Sequence, residues 1–323
     1  VRYFSTFAGM GAFEEAVRRL GLEWKCIGYS EIDKYAIAVH EKNFPGYKNY
    51  GDITKIDIQN MPDFDFLVGG FPCQDLSSSN TNRQGLAGIR SGLFYKLLEI
   101  LKIKKPKYFL FENVESMDDA NKDLISNFVG VQPVMINASS FSAQNRKRLF
   151  WCNWRVELPS VHSKLVVRDI LEQNIADVSE HMLSDEYFRK VVLKTNRRNF
   201  SNEVQCIGGI HSKGTKIYQG YRVFSLDGKC PTLCAIGGGL CRHSGLFHFG
   251  SYIRRLTSIE CERLQGFPDD YSKYGIMNNK VVKMSTAKRQ KMCGNAFNVD
   301  VIMHIIKQLN VEQVTNEQLE LNF

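Results

Sequence analysis

The sequence predicts a two-part α/β protein: a mostly parallel sheet with helices on both faces, then a smaller, mainly β domain. Three observations predict it. Through the first 155 residues, short apolar runs rich in β-formers alternate with helical patterns. Near residue 180 the alternation stops and glycines and basic residues accumulate. Charge divides the same way: residues 185–255 hold twelve Lys/Arg against four Asp/Glu, and the rest of the chain is neutral.

The alternation runs in order. "RYFSTFAG" precedes "GAFEEAVRRLG", and "WKCIGYSEI" precedes "DKYAIAVHEKNF". "FDFLVGGF" leads through a polar stretch to "LFYKLLEILKIKKP". "KYFLFENV" precedes "NKDLISNFV", and "PVMINASSF" precedes "RLFWCNW" in the helical slot. Continuously apolar strands separated by helices belong to a sheet covered on both faces. Ligands of such sheets bind beyond the carboxyl ends of the strands. The second part, with "GGIHSKGTKIYQGYRVFSLDGKCPTLCAIGGG", reads as short twisted strands with irregular loops. "SIECERLQGF" predicts a short helix with Ser258 as N-cap and Glu260 and Glu262 in its first turn. "NVDVIMHIIKQL", 298–309, is an apolar helix that returns to the first domain. The expected boundaries are 1–178 with 286–323 for the large domain and 179–285 for the small one.

Composition narrows the class. With 323 residues, 43% hydrophobic and 24% charged, the chain should be globular. No apolar stretch approaches the ~20 residues of a membrane span. The opening "VRYFSTFAGMG" enters a strand-like run without the layout of a signal peptide. Nine scattered cysteines, an odd number, fit reduced thiols in the cytoplasm better than a disulfide framework. A basic module on a neutral one is either a solvated surface or the mark of a polyanionic partner, with nucleoid association if that partner is DNA.

Strand ends carry the chemistry. "FAGMG", 7–11, closes the first strand with glycines where a helix begins, so a ligand can approach the backbone. Glu31 ends the second strand, where an acid accepts hydrogen bonds from ribose hydroxyls. Asp52 follows the next strand-like segment in "YGDIT". Glycine turn, acid and acid at successive strand ends are what a nucleoside cofactor requires. Cys73, in "GGFPCQDLSSSN", ends a buried strand before a long polar loop. Taken alone it is either small apolar filler or a nucleophile at the mouth of a cleft. "CPTLCAIGGGLCRH" offers Cys230, Cys234, Cys241 and His243, but the spacing fits no common zinc pattern, and no metal is expected.

Together "FAGMG", "SEIDKYA", "GDIT", "GGFPCQDLS", "FENV", "QNRKR", "RRLTSIECERLQGFPDDY" and "GNAF" resemble, in order, the motifs of the DNA (cytosine-5) methyltransferases. The compact length is similar to bacterial and phage members. "PVMINASSFSAQNRKRLFWCN" also resembles a stretch of the animal de novo methyltransferases. The resemblance implies a Rossmann-like, class I S-adenosylmethionine methyltransferase domain with a small target-recognition domain. It implies sequence-specific methylation of a cytosine flipped out of the duplex. Cys73 matches the nucleophile that adds to carbon 6. Glu112 matches the acid at cytosine N3 and the exocyclic amine. Arg148 matches the donor to O2, with Arg146 supporting the loop or a phosphate. S-adenosylmethionine would lie against Phe7, Gly9, Gly11, Glu31, Asp52, Ile53, Gly70, Pro72, Leu93 and Asn295. Ile32 stands where many relatives stack an aromatic ring on adenine. Loop 76–91, with Ser79, would be a mobile lid touching DNA. Gln219 would fill the vacated base position, Thr232 would contact the target nucleotide's backbone, and Arg222 would reach a guanine edge or a phosphate. The implied partner is double-stranded DNA bound by a monomer, with a cognate restriction endonuclease acting separately. One family branch uses the same motifs on tRNA, which makes tRNA cytosine-5 methylation the alternative.

Overall fold

The computed structural model describes residues 1–72, 76, 86, 92–173, 178–193, 203–210, 219–235 and 240–309, the side chain of Gln219 excepted. The chain divides into two compact units. One joins Val1–Ile136, Lys147–Pro159 and the described residues from Val301; the other joins Asn137–Arg146 and Ser160–Asp300.

The first unit is built on β1 (Arg2–Thr6), α1 (Ala12–Arg19), β2 (Lys25–Ser30), α2 (Lys34–Asn43), β3 (Phe66–Gly70), α3 (Leu93–Lys104), β4 (Tyr108–Val114), α4 (Asp119–Val129), β5 (Val134–Asn137) and β6 (Lys147–Cys152). Its sheet has the order β2-β1-β3-β4-β6-β5. β1 pairs in parallel with both β2 and β3, and β3 pairs in parallel with β4. The chain therefore turns one way from β1 to β2 and the other way to β3. Open sheets bind ligands at such a switch point, and the carboxyl ends of β1 and β3 carry residues 7–11 and 70–72. "RLFWCNW" differs from the alternation: it supplies β6, antiparallel to β4. Leu149, Phe150, Trp151 and Cys152 are all buried, and that continuous burial favours a strand in a covered sheet over a one-sided helix. Phe4, Leu67, Phe94, Phe109, Phe111, Ile125 and Trp151 belong to the main core, which also takes in Leu76 and Leu86.

The second unit contains α5 (Asp185–Phe188), β7 (Val191–Leu193), β8 (Cys206–Ile210), β9 (Arg222–Phe224), β10 (Leu246–His248), β11 (Ile253–Arg254), α6 (Ser258–Leu264), β12 (Tyr274–Met277), β13 (Lys280–Lys283) and α7 (Thr286–Asn295). β7–β11 form one sheet around Leu183, Ile210, Val223, Leu246 and Ile253. Among the described residues, 137–146, 160–173, 178 and 286–300 cluster with this unit, unlike in the sequence-based boundaries. The reason is backbone pairing: Val167 N–H donates to Gly228 O at 3.0 Å and Arg168 N–H to Leu226 O at 2.9 Å. On α7, Gln290 Nε2 donates to Leu256 O at 2.9 Å. The N-cap of α6 is Thr257, not Ser258. Its hydroxyl accepts from Glu260 N while Glu260 Oε2 accepts from Thr257 N at 2.8 Å, a reciprocal capping box. The last helix, α8 (Val299–Lys307), matches the apolar helix expected there, and Ile305 O accepts from Trp154 Nε1 at 3.4 Å.

Candidate active site

At the switch point the backbone is built for close approach. Phe7, Gly9 and Gly11 have φ of 52°, 58° and 91°. A Cβ on Gly11 would stand 2.7 Å from the Phe44 ring on α2, so only glycine lets α1 begin there. Glu31, directly after β2, ties this turn to the next. Its Oε2 accepts from Gly9 N at 2.8 Å, and its Oε1 accepts from Ile32 N at 2.7 Å and Asp33 N at 2.8 Å. A carboxylate has about four acceptor positions, so three backbone donors orient it and leave room for a hydroxyl. Ile32 beside it is 71% exposed, an apolar side chain left facing solvent. Asp52 caps a short 3₁₀ turn, Ile53–Lys55, by accepting from Thr54 N and Oγ1. Those bonds hold its carboxyl below the usual range. Ile53 is buried, and Gly70, Pro72 and Leu93 are half-buried.

Glu112 and Arg148 lie in the same unit. β3 and β4 pair so that Gly70 stands opposite Glu112. Asn113, fully buried on β4, donates to Phe71 O at 3.1 Å and fixes the backbone just before Pro72 and Cys73. On β6, Phe150 is opposite Glu112 and Arg148 is opposite Val114. Arg148 therefore sits diagonal to Glu112 on one face, within reach of a long side chain. Its Nε lies 2.9 Å from Glu112 Oε1 in a half-buried pair, and its Nη1 donates to Lys147 O at 2.8 Å. Cys73, Ser79 and the Gln219 side chain lie outside the described residues. Several of the remaining thiols are buried. Burial pushes Cys230, Cys261 and Cys293 well above the ordinary thiol range and Cys26 and Cys152 up to about 12.

Several motif residues are internal braces of the second unit. Arg146, expected to act beside Glu112 and Arg148, is buried and donates to Leu233 O, Gly294 O and Ala296 O at 3.1, 3.1 and 2.9 Å. In this arrangement its guanidinium is spent on those carbonyls, as expected of a residue that supports the loop. Gln144 joins it: its Nε2 donates to Leu264 O and Gln265 Oε1, and its Oε1 accepts from Leu233 N. A Cβ on Gly294 would meet Ala235 N and Cys234 C at 2.4 Å, which explains the glycine of "GNAF". Asn295, the next residue, is exposed. Thr232 Oγ1 donates to Asn145 O at 2.7 Å, so in this arrangement its hydroxyl has no proton for a phosphate. Arg222 is exposed on β9.

Part of the basic surplus is internal too. Lys229 is 1% exposed and donates to the carbonyls of Ser139, Ser142 and Ser163, with burial lowering its pKa. Arg254 makes a buried bidentate pair with Glu260, both contacts 2.7 Å. Neither side chain is available to DNA. The sulfurs of Cys230, Cys234 and Cys241 donate to the carbonyls of Pro231, Thr232 and Arg242, three different points, and His243 Nδ1 is 2.9 Å from Cys234 O.

Fold, glycine turn and acid–arginine pair define an α/β methyltransferase, and similarity to known proteins gives its family. The model of the C-5 cytosine-specific DNA methylases matches residues 1–311, and the chain belongs to that family. It is a DNA cytosine-5 methyltransferase. It is 32% identical to the type II methyltransferase M.HhaI of Haemophilus parahaemolyticus over 94% of this chain and 93% of the relative. It is 27% identical to the orphan methyltransferase M.SPRI of Bacillus phage SPR over 96% and 97% of the two chains. Among solved structures it is similar in fold to the Entamoeba histolytica methyltransferase EhMeth, with a TM-score of 0.69, 15% identity and coverage of 95% and 97%. No helix among the described residues is long and apolar enough to cross a membrane.

Proposed function

We propose that one copy of this chain transfers a methyl group from S-adenosylmethionine to carbon 5 of a cytosine flipped out of a specific duplex sequence, in the cytoplasm on nucleoid DNA. A cognate endonuclease, where one exists, acts separately. The Arg148–Glu112 pair, in strand register beside the segment that leads into Cys73, carries this reading. Carbon 5 of cytosine is too weak a nucleophile until a thiolate adds to carbon 6. Cys73 supplies that thiolate. Glu112 holds a proton at N3, which neutralises the charge that addition pushes into the ring, and Arg148 donates to O2. Loss of the carbon 5 proton to water then lets the Cys73–carbon 6 bond break and restores the ring and the thiolate.

The switch-point residues fit the methyl donor. Glu31 has acceptor capacity for ribose hydroxyls, exposed Ile32 offers an apolar face to adenine, and Phe7, Gly9, Gly11, Asp52, Ile53, Gly70, Pro72 and Leu93 complete the set within the first unit. S-adenosylmethionine bound there supplies an electrophilic methyl group. Glu31→Ala should weaken S-adenosylmethionine binding about tenfold or more by calorimetry, the value of one missing charge-assisted hydrogen bond. Unchanged affinity would remove Glu31 from the cofactor set.

The second unit reads the target, with Arg222 and Gln219 as its candidate DNA contacts. Bisulfite sequencing of a plasmid expressed with the enzyme in a methylation-free host should show cytosines protected at one short recurrent sequence. Scattered protection would contradict sequence specificity.

A further inference from the structure

Strands β12 and β13 form a two-stranded sheet by themselves, and most of their side chains are exposed or half-buried. They pair as Tyr274↔Lys283, Gly275↔Val282, Ile276↔Val281 and Met277↔Lys280. Asn278 and Asn279 turn between them with φ of 50° and 60°, the positive values that a tight hairpin turn needs at both positions. Alternation puts Tyr274, Ile276, Val281 and Lys283 on one face and Met277, Lys280 and Val282 on the other. Tyr274 is 39% and Val281 66% exposed, and both lysines are exposed.

A lone two-stranded hairpin is marginal in water, yet this one is anchored firmly. Ser272, just before β12, donates its N–H to Glu262 Oε1 at 2.9 Å and also bonds it through its hydroxyl. Arg289 on α7 holds both oxygens of Glu262, at 2.9 and 3.0 Å, and Asp270 at 3.1 Å. Met284 N–H donates to Lys273 O at 2.8 Å and closes the base. A rigid root carrying an exposed ribbon is the build of an element that meets something.

Its charge says what. Residues 271–291 contain six Lys/Arg and no Asp/Glu. Arg289 is spent at the root and Lys273 pairs with Asp270 at 2.7 Å. Lys280 and Lys283 have no carboxylate partner among the described residues. We infer that the Tyr274–Lys283 ribbon is a second DNA-contacting element, outside segment 185–255, which grips duplex phosphates through Lys280 and Lys283. A two-stranded ribbon fits a duplex groove, and the family's substrate has the complementary charge. A second copy of this chain fits less well, because pairing two ribbons would bring two cationic surfaces together.

The test uses the full chain and a duplex carrying the target site. Lys280→Gln with Lys283→Gln should weaken duplex binding by about tenfold, while kcat at saturating DNA is retained. The slope of log affinity against log salt should become shallower by about 1.8, or about 0.9 for each phosphate that is no longer neutralised. Lys280→Arg with Lys283→Arg should keep the wild-type slope. An unchanged slope in the glutamine variant overturns the proposal. So does a change of oligomeric state on Val281→Glu with the slope unchanged, which would make the ribbon an interface between copies. Methylation by the wild type is measured separately, so failure of the ribbon proposal is distinguishable from failure of the enzymatic reading.

Discussion

Cys73→Ala abolishes methyl transfer and leaves S-adenosylmethionine binding intact: that is the largest effect expected of any single substitution in this chain. Without addition at carbon 6, carbon 5 cannot attack an electrophile, so no slower version of the same route remains. Removal of a covalent nucleophile costs on the order of 10⁴ or more in rate. Burial pushes the thiols of Cys230, Cys261 and Cys293 well above the ordinary range, which makes these three poor substitutes. Single-turnover transfer of a labelled methyl group, read beside calorimetric cofactor binding, separates the two quantities. Loss of both together would mean that Cys73 supports the pocket rather than the reaction.

Glu112→Gln should cost the next most, on the order of 10²–10³ in kcat. The amide keeps the size of the side chain and can still bond the cytosine edge, but it cannot hold a proton at N3 as charge enters the ring. Arg148→Ala should fall in the same range, because Arg148 Nε lies 2.9 Å from Glu112 Oε1 and the two act on one ring. The double variant should then lose much less than the product of the single losses, as residues that act as a unit are not additive. Full additivity of the two losses would show that Glu112 and Arg148 serve separate steps.

Much of this was legible in the sequence because local pattern and local function coincide in open α/β sheets. β1 to β4 follow from apolar runs, and Glu31 and Asp52 follow from their places after successive strand-like runs. β6 was harder, since "RLFWCNW" is too short and too evenly apolar for periodicity to separate helix from strand. The Thr257 cap carried its own signal, Thr followed three residues later by Glu260. Gln144 and Gln265 were not legible as braces, because they meet across 121 positions of chain. Burial of Lys229 was equally hidden, as a lysine in a glycine-rich basic stretch looks solvated until three carbonyls converge on it. The ribbon escaped a charge tally by averaging: acids elsewhere cancel the six cations of 271–291. The adjacent Asn278 and Asn279 between "YGIM" and "KVVK" were its available sign.

The covalent route is tested most directly with a duplex in which the target cytosine is replaced by 5-fluorocytosine. Fluorine cannot leave carbon 5 as a proton does, so the Cys73–carbon 6 bond should persist after methyl transfer. The account predicts a complex of protein and DNA that survives denaturing electrophoresis, forms only with S-adenosylmethionine present, and is absent with Cys73→Ala. Active wild-type enzyme that yields no such complex, or measurable turnover by Cys73→Ala on an ordinary duplex, would contradict it.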